Sequence, residues 1–102
     1  MGRKKGSFKY DREDILRAAL ELARVVGYQQ VTRDALAAAS NTSAGLISSR
    51  FGTMVQLRRA IMSHAVHKGD MVVLAQGLAA GDPKARAASV RDKREAVEGL
   101  MI

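Results

Sequence analysis

Between Asp11 and Pro83 the chain is punctuated at short intervals by residues that start or stop helices, and this most narrows what it can fold into. From Asp11 to Val26 (DREDILRAALELARVV) the apolar residues Ile15, Leu16, Ala19, Leu20, Leu22, Ala23 and Val26 recur at three and four, which predicts an amphipathic helix. Asp11 suits its N-cap, Glu13 and Asp14 suit the positive end of the helix dipole, and Gly27 suits the stop. Thr32 caps a second segment, RDALAAAS, made of strong helix formers. Ser40, Asn41 and Thr42 then interrupt, with Asn41 able to take the positive φ of a sharp turn. Ser43 caps Ala44 to Phe51, Gly52 ends it, and Thr53 caps a longer helix, MVQLRRAIMSHAV, with Val55, Leu57, Ala60, Ile61 and Val66 among its apolar positions. Short connections between such helices predict a compact all-α bundle.

Composition supports this class. With 4% aromatic residues, no Trp and many Ala, helices must meet through thin interfaces, and the β-branched and aromatic runs of a sheet are missing. Cysteine is absent, which excludes a disulfide framework or thiolate metal site. No apolar run approaches the ~20 residues of a membrane span, and no long apolar stretch follows the basic N-terminus as in a signal peptide. A cytoplasmic location is expected.

The net charge of +7 makes a polyanion the default partner. Its distribution says more. Residues 1–12 carry Arg3, Lys4, Lys5, Lys9 and Arg12 against Asp11, a net of +4, and residues 32–66 carry Arg33, Arg50, Arg58 and Arg59 against Asp34, a net of +3. Residues 13–31 are slightly acidic and residues 67–102 nearly neutral. Three regions are therefore expected: a basic arm over 1–10, a helical domain over 11–66, and a tail over 67–102 that is either a helical dimerisation segment or partly disordered. In the tail, Lys68 to Ala80 continues as a helix after a break at Gly69. Asp82 and Pro83 start another that runs to about Glu98, with Ala88, Val90, Val97 and Leu100 as its apolar face.

The stretch TRDALAAASNTSAGLISSRF, Thr32 to Phe51, has the layout of a helix-turn-helix. Ala37 is the small residue that allows a close crossing, Asn41 the turn, and Leu36, Ile47 and Phe51 the anchors. Ala44, Gly45, Leu46, Ser48, Ser49 and Arg50 are left outward, free to enter a major groove.

From Ile15 to Ile61 the chain resembles the DNA-binding domain of the tetracycline-repressor (TetR) family. The resemblance rests on Gly27-Tyr28 after the first helix, Thr32 opening the second, Gly45 in the recognition helix, and Phe51-Gly52 leading to a further helix anchored by Leu57. It implies a homeodomain-like helical bundle with one or two C-terminal helices added, and a sequence-specific regulator of transcription bound to double-stranded DNA, most simply a repressor. Carried over by position, Thr32 and Arg33 would touch phosphate, and Ser43, Ala44, Gly45, Leu46, Ser48 and Ser49 would face bases or the sugar-phosphate chain. Arg50 and Thr53 would flank the groove, and Arg3, Lys4 and Lys5 would follow the backbone or minor groove. Three positions depart from the family pattern: Ser48 and Arg50 replace aromatics, and Met54 replaces a lysine. Arg50 substitutes a charge-assisted contact, whereas Met54 supplies none.

Length is the larger departure. The family's ligand-binding and dimerisation domain far exceeds the tail here, so no small-molecule inducer pocket and no cofactor are expected, and a homodimer through the C-terminal segment is. Small regulators of phage or other mobile-element origin look like this. The competing reading is a protein-binding module or inhibitor that docks through Met71, Val72, Val73, Leu74 and Leu78. His64, His67 and Asp70 stand at i, i+3 and i+6, a spacing common by chance and interrupted by Gly69, and no metal site is expected. Nothing resembles a catalytic triad, so the chain is not expected to be an enzyme.

Overall fold

The computed structural model describes residues 12–100, with Leu100 described by its backbone alone. The basic arm, with Arg3, Lys4 and Lys5, and the Asp11 cap lie outside the described residues.

Helix α1 (Arg12–Val26) turns Ile15, Leu16, Ala19, Leu20 and Ala23 into the core, as its apolar spacing requires, but leaves Val26 exposed. Gly27, at φ 93°, then admits a single 3₁₀ turn, Tyr28–Gln30, that the apolar pattern does not announce. Tyr28 is buried there, and Val31 seals the core beneath it. Helix α2 (Arg33–Ser40) starts on Thr32, whose Oγ1 accepts from the Ala35 amide at 3.1 Å. It ends on Asn41, the residue other than glycine with positive φ among those described. The Asn41 amide returns to the carbonyls of Ala37 and Ala38, so the turn closes α2 while redirecting the chain.

Helix α3 (Ala44–Phe51) is capped by Ser43, which accepts from the Leu46 amide at 3.1 Å. Helix α4 (Met54–Lys68) begins with a reciprocal capping box. The Thr53 hydroxyl accepts from the Gln56 amide, and the Gln56 side chain accepts from the Thr53 amide. Leu36, Ile47, Leu57 and Ile61 are fully buried and pin α2, α3 and α4 together around α1. Val55, expected among the apolar positions of α4, instead points outward at 61% exposure because the buried face runs through Leu57, Ile61, Met62 and Ala65.

The tail folds onto this bundle as α5 (Met71–Ala80), α6 (Pro83–Arg86) and α7 (Val90–Leu100). The single helix expected from Pro83 to Glu98 is thus two. Ser89 accounts for the break: its Oγ accepts from the Asp92 amide and its carbonyl from the Lys93 amide, so it caps a new helix instead of continuing the old one. The expected apolar face is corrected in part. Ala88 turns inward as expected, joined by Ala85 and Ala96, while Val90 and Val97 are 68% and 44% exposed. Small residues win these places because the helices approach closely there: a Cβ built on Gly77 of α5 would lie 2.7 Å from the Ala85 Cβ.

The proposed docking face of Met71, Val72, Val73, Leu74 and Leu78 is spent on this packing. Val73 and Leu74 are buried in the common core, Met71 and Leu78 pack against it, and Val72 alone of the five is exposed. Polar contacts hold the same junction. Gln76 donates to the Ala23 carbonyl and accepts from the Tyr28 amide, and the Tyr28 hydroxyl donates to Asp82 at 3.0 Å. Burial and this neighbouring carboxylate push the Tyr28 phenol up to about 12. Asp70 caps α5 through the Val73 amide and accepts from Arg24 Nε at 2.9 Å.

Candidate nucleic-acid interface

A groove-reading helix must show one face to solvent while its other face is anchored, and α3 meets both demands. Ile47 and Phe51 are buried, and Gly45, Ser48, Ser49 and Arg50 are exposed. Ala44 and Leu46 are half-buried, so the open face is narrower than the run from Ala44 to Arg50 suggests. Ser43 stands exposed at the amino end of this face, with its hydroxyl engaged in capping. Thr53 is exposed beyond the other end. The side chains available for base edges are small, so a backbone could approach them closely, and Arg50 is the cation among them.

The flanks carry the charge. Arg33 lies at the start of α2 and donates through Nη2 to the Gly52 carbonyl at 3.1 Å, which ties the beginning of α2 to the end of α3. A cleft of about 380 Å³ runs beside it, lined by Thr32, Arg33, Asp34, Ala44, Met54 and Arg58. The Arg12 guanidinium lies 4.7 Å from the centre of the Phe51 ring, a cation–π contact that places a second positive charge at the carboxyl end of α3. Arg12 shares a wider open groove with Gln56, Arg59, His67 and Lys84.

In the sequence, Arg12, Arg58 and Arg59 register as charge without a role. Arg58 has a readable signal, since it stands four residues after Met54 and so on the same face of α4. The signal for Arg12 lies in the fold, because only the path of α1 brings it to Phe51.

The histidine pair has an ordinary structural explanation. His64 is buried, with Nε2 4.0 Å from a Glu13 carboxylate oxygen that also binds Lys68 at 3.0 Å. Burial holds the His64 pKa below its usual value and Glu13 opposes this, with Lys68, His67 and Arg12 adding to the depression. Hydrogen bonding from Lys68 holds Glu13 below the usual carboxylate range. Asp70 is committed to Arg24 and the α5 cap, and His67 is exposed. Among the described residues no group of His, Cys, Asp or Glu is placed to hold a metal, and no helix is long and apolar enough to cross a membrane.

No curated protein and no solved structure matches the chain. Residues 15–61 match the family described as bacterial regulatory proteins, tetR family. The match runs from the first buried residue of α1, through the helix-turn-helix, to the core residue Ile61 of α4. Over these residues the chain is similar to the DNA-binding domain of the TetR family.

Proposed function

We propose that the chain is a sequence-specific double-stranded DNA-binding repressor that works as a homodimer and without a small-molecule inducer. The observation that carries this reading is the open face of α3, Gly45, Ser48, Ser49 and Arg50, with Arg33 and Arg58 lining the cleft that reaches Ala44 and Arg12 stacked on Phe51. Selection of bound sequences from random duplex, using the full chain, tests it. The expected product is a palindrome with half-sites about one helical turn apart. Affinity should fall steeply with salt, and Arg33→Ala with Arg50→Ala should remove most of it. No retardation of any duplex at low salt would end the reading.

For the dimer, α7 offers a self-complementary surface. Arg91 and Arg94 lie in its first half and Glu95 and Glu98 in its second, all exposed, beside the exposed Val90 and Val97. Arg91 with Glu95 and Arg94 with Glu98 stand at i, i+4 spacing along α7, in the order the helix dipole favours less. A second α7 in antiparallel orientation offers each of these charges a further partner. A two-fold axis between Arg94 and Glu95 sets each Arg91 against Glu98 of the second copy and each Arg94 against its Glu95.

Exposed pairs contribute only about 0.2–1 kcal/mol each, so the dimer is weak until two half-sites hold it. Arg91→Glu with Arg94→Glu should give a monomer in light scattering at micromolar concentration. Adding Glu95→Arg and Glu98→Arg should restore the dimer, because the full reversal is again self-complementary. A wild-type monomer, free and on duplex, would overturn this mode of assembly.

A further inference from the structure

The cleft beside α3 contains an unexplained arrangement of charge. Among the described residues, the buried side-chain nitrogens and oxygens with no hydrogen-bond partner are Nε of Arg33 and Nε of Arg58, and both residues line this cleft. Two guanidinium side chains whose Nε groups have no partner within the protein border this one cleft, although Arg58 also borders a second cleft with Tyr28 and Asp82. Two cations at one cleft suit an anion with several oxygens.

Resting on the DNA-binding reading above, we infer that Arg58 and Arg33 together grip one backbone phosphate, and that Arg58 supplies the cation that Met54 lacks. Met54 and Arg58 are one helical turn apart on the same face of α4, and an arginine is long enough to serve the phosphate that a lysine at 54 would meet. Arg33 is already held through Nη2 by the Gly52 carbonyl, so its guanidinium is positioned before any ligand arrives. Asp34 also lines the cleft and is exposed; it forms no ion pair with either arginine, and its repulsion of a phosphate is offset by two cations. The cleft reaches Ala44, the first residue of α3, so a phosphate seated here sets how deeply α3 enters the groove while reading no base itself.

The test uses the full chain and the duplex recovered by selection. Arg58→Ala should weaken binding roughly tenfold at about 0.1 M salt, equally on the selected duplex and a scrambled one, and lower the salt slope by about one per bound chain. Met54→Lys added to Arg58→Ala should restore both, and melting curves check that the variants fold. In the wild-type protein, the side-chain Nε–H resonances of Arg33 and Arg58 should shift on adding duplex at micromolar concentration. Inorganic phosphate at matched ionic strength should shift them only in the millimolar range.

Unchanged affinity and slope in Arg58→Ala, with the wild type still bound, would overturn the grip and leave the DNA-binding reading standing. Saturation by micromolar inorganic phosphate while duplex leaves both resonances unmoved would make the cleft a small-anion site and overturn it as well. A wild-type protein that retards no duplex would remove the reading and the grip together. If Arg58→Ala does not fold, the wild-type resonances decide.

Discussion

Valine in place of Gly77 should cost about 3 kcal/mol or more of stability, and alanine about 1–2 kcal/mol. The alanine result is the sharper test, because its sign is opposite to local expectation. In an open helix interior, alanine is favoured over glycine by about 0.5–1 kcal/mol. Gly77 is not in the open: an added Cβ would lie 2.5 Å from Met62 Cε, 2.7 Å from Met62 Sδ and 2.7 Å from the Ala85 Cβ.

Met62 is flexible, although fully buried, and gives way only by displacing other core atoms. The Ala85 Cβ is fixed to the backbone of α6 and cannot rotate aside. One methyl therefore forces α5 and α6 apart, and the branched valine forces them further. For a domain of this size a loss of 3 kcal/mol corresponds to a melting temperature lower by roughly 12–24 °C. Gly99 in α7 is the control, since a Cβ added there would meet nothing within 4 Å. Gly99→Ala should be neutral or stabilising by a few tenths of a kcal/mol. A stabilised Gly77→Ala would mean that helix propensity, rather than packing, governs that junction.

The same junction shows where the sequence can be read and where it cannot. Thr32, Asn41, Ser43, Gly52, Thr53, Gly69, Asp70, Gly81 and Asp82 each act on the backbone within a few residues, and their caps and turns are legible one at a time. Ser89 with Asp92 three residues on carries the same kind of start signal, and it marks the point where the last helix divides. The direction in which a valine points is different, because it depends on which neighbour offers a surface. Val55, Val90 and Val97 fit a helical apolar stripe in sequence, yet alanines and a glycine take the inner positions because the helices lie too close for larger side chains.

The candidate site divides along the same line. Anchors and outward positions of α3 follow from helical periodicity, so Ile47 and Phe51 inside and Ser48, Ser49 and Arg50 outside are accessible to pattern. The cleft shared by Arg33 and Arg58 is not, because 25 positions separate residues that only the folding of the bundle brings to one cleft. A net charge per segment locates such arginines near the site without saying which of them converge.

Arg24→Ala should destabilise the protein by about 2–3 kcal/mol, far more than the few tenths common for a half-exposed arginine. The reason lies in its partner. The Arg24 side chain is 55% exposed, but the Asp70 side chain it binds at 2.9 Å is only 4% exposed. Removing the arginine strands a nearly buried carboxylate that keeps only the Val73 amide. Asp70→Ala should cost a similar amount by another route: it removes the α5 cap, about 1 kcal/mol, as well as the ion pair, while the freed guanidinium returns to water. Asp70→Asn should cost less, since asparagine still caps.

The double variant Arg24→Ala with Asp70→Ala should then be well short of the sum of the singles, with a coupling of at least about 1 kcal/mol in denaturant unfolding. Additive losses would show that the two side chains contribute independently and that the ion pair itself couples nothing across the junction. Because Arg24 lies within the TetR-like region and Asp70 starts the helices that lead to α7, this pair also helps to tie the two together, beside the contacts of Gln76 and of Tyr28 with Asp82. Arg24→Ala should therefore weaken binding to a palindromic duplex more than to a single half-site, since only the palindrome requires two domains held at a set spacing.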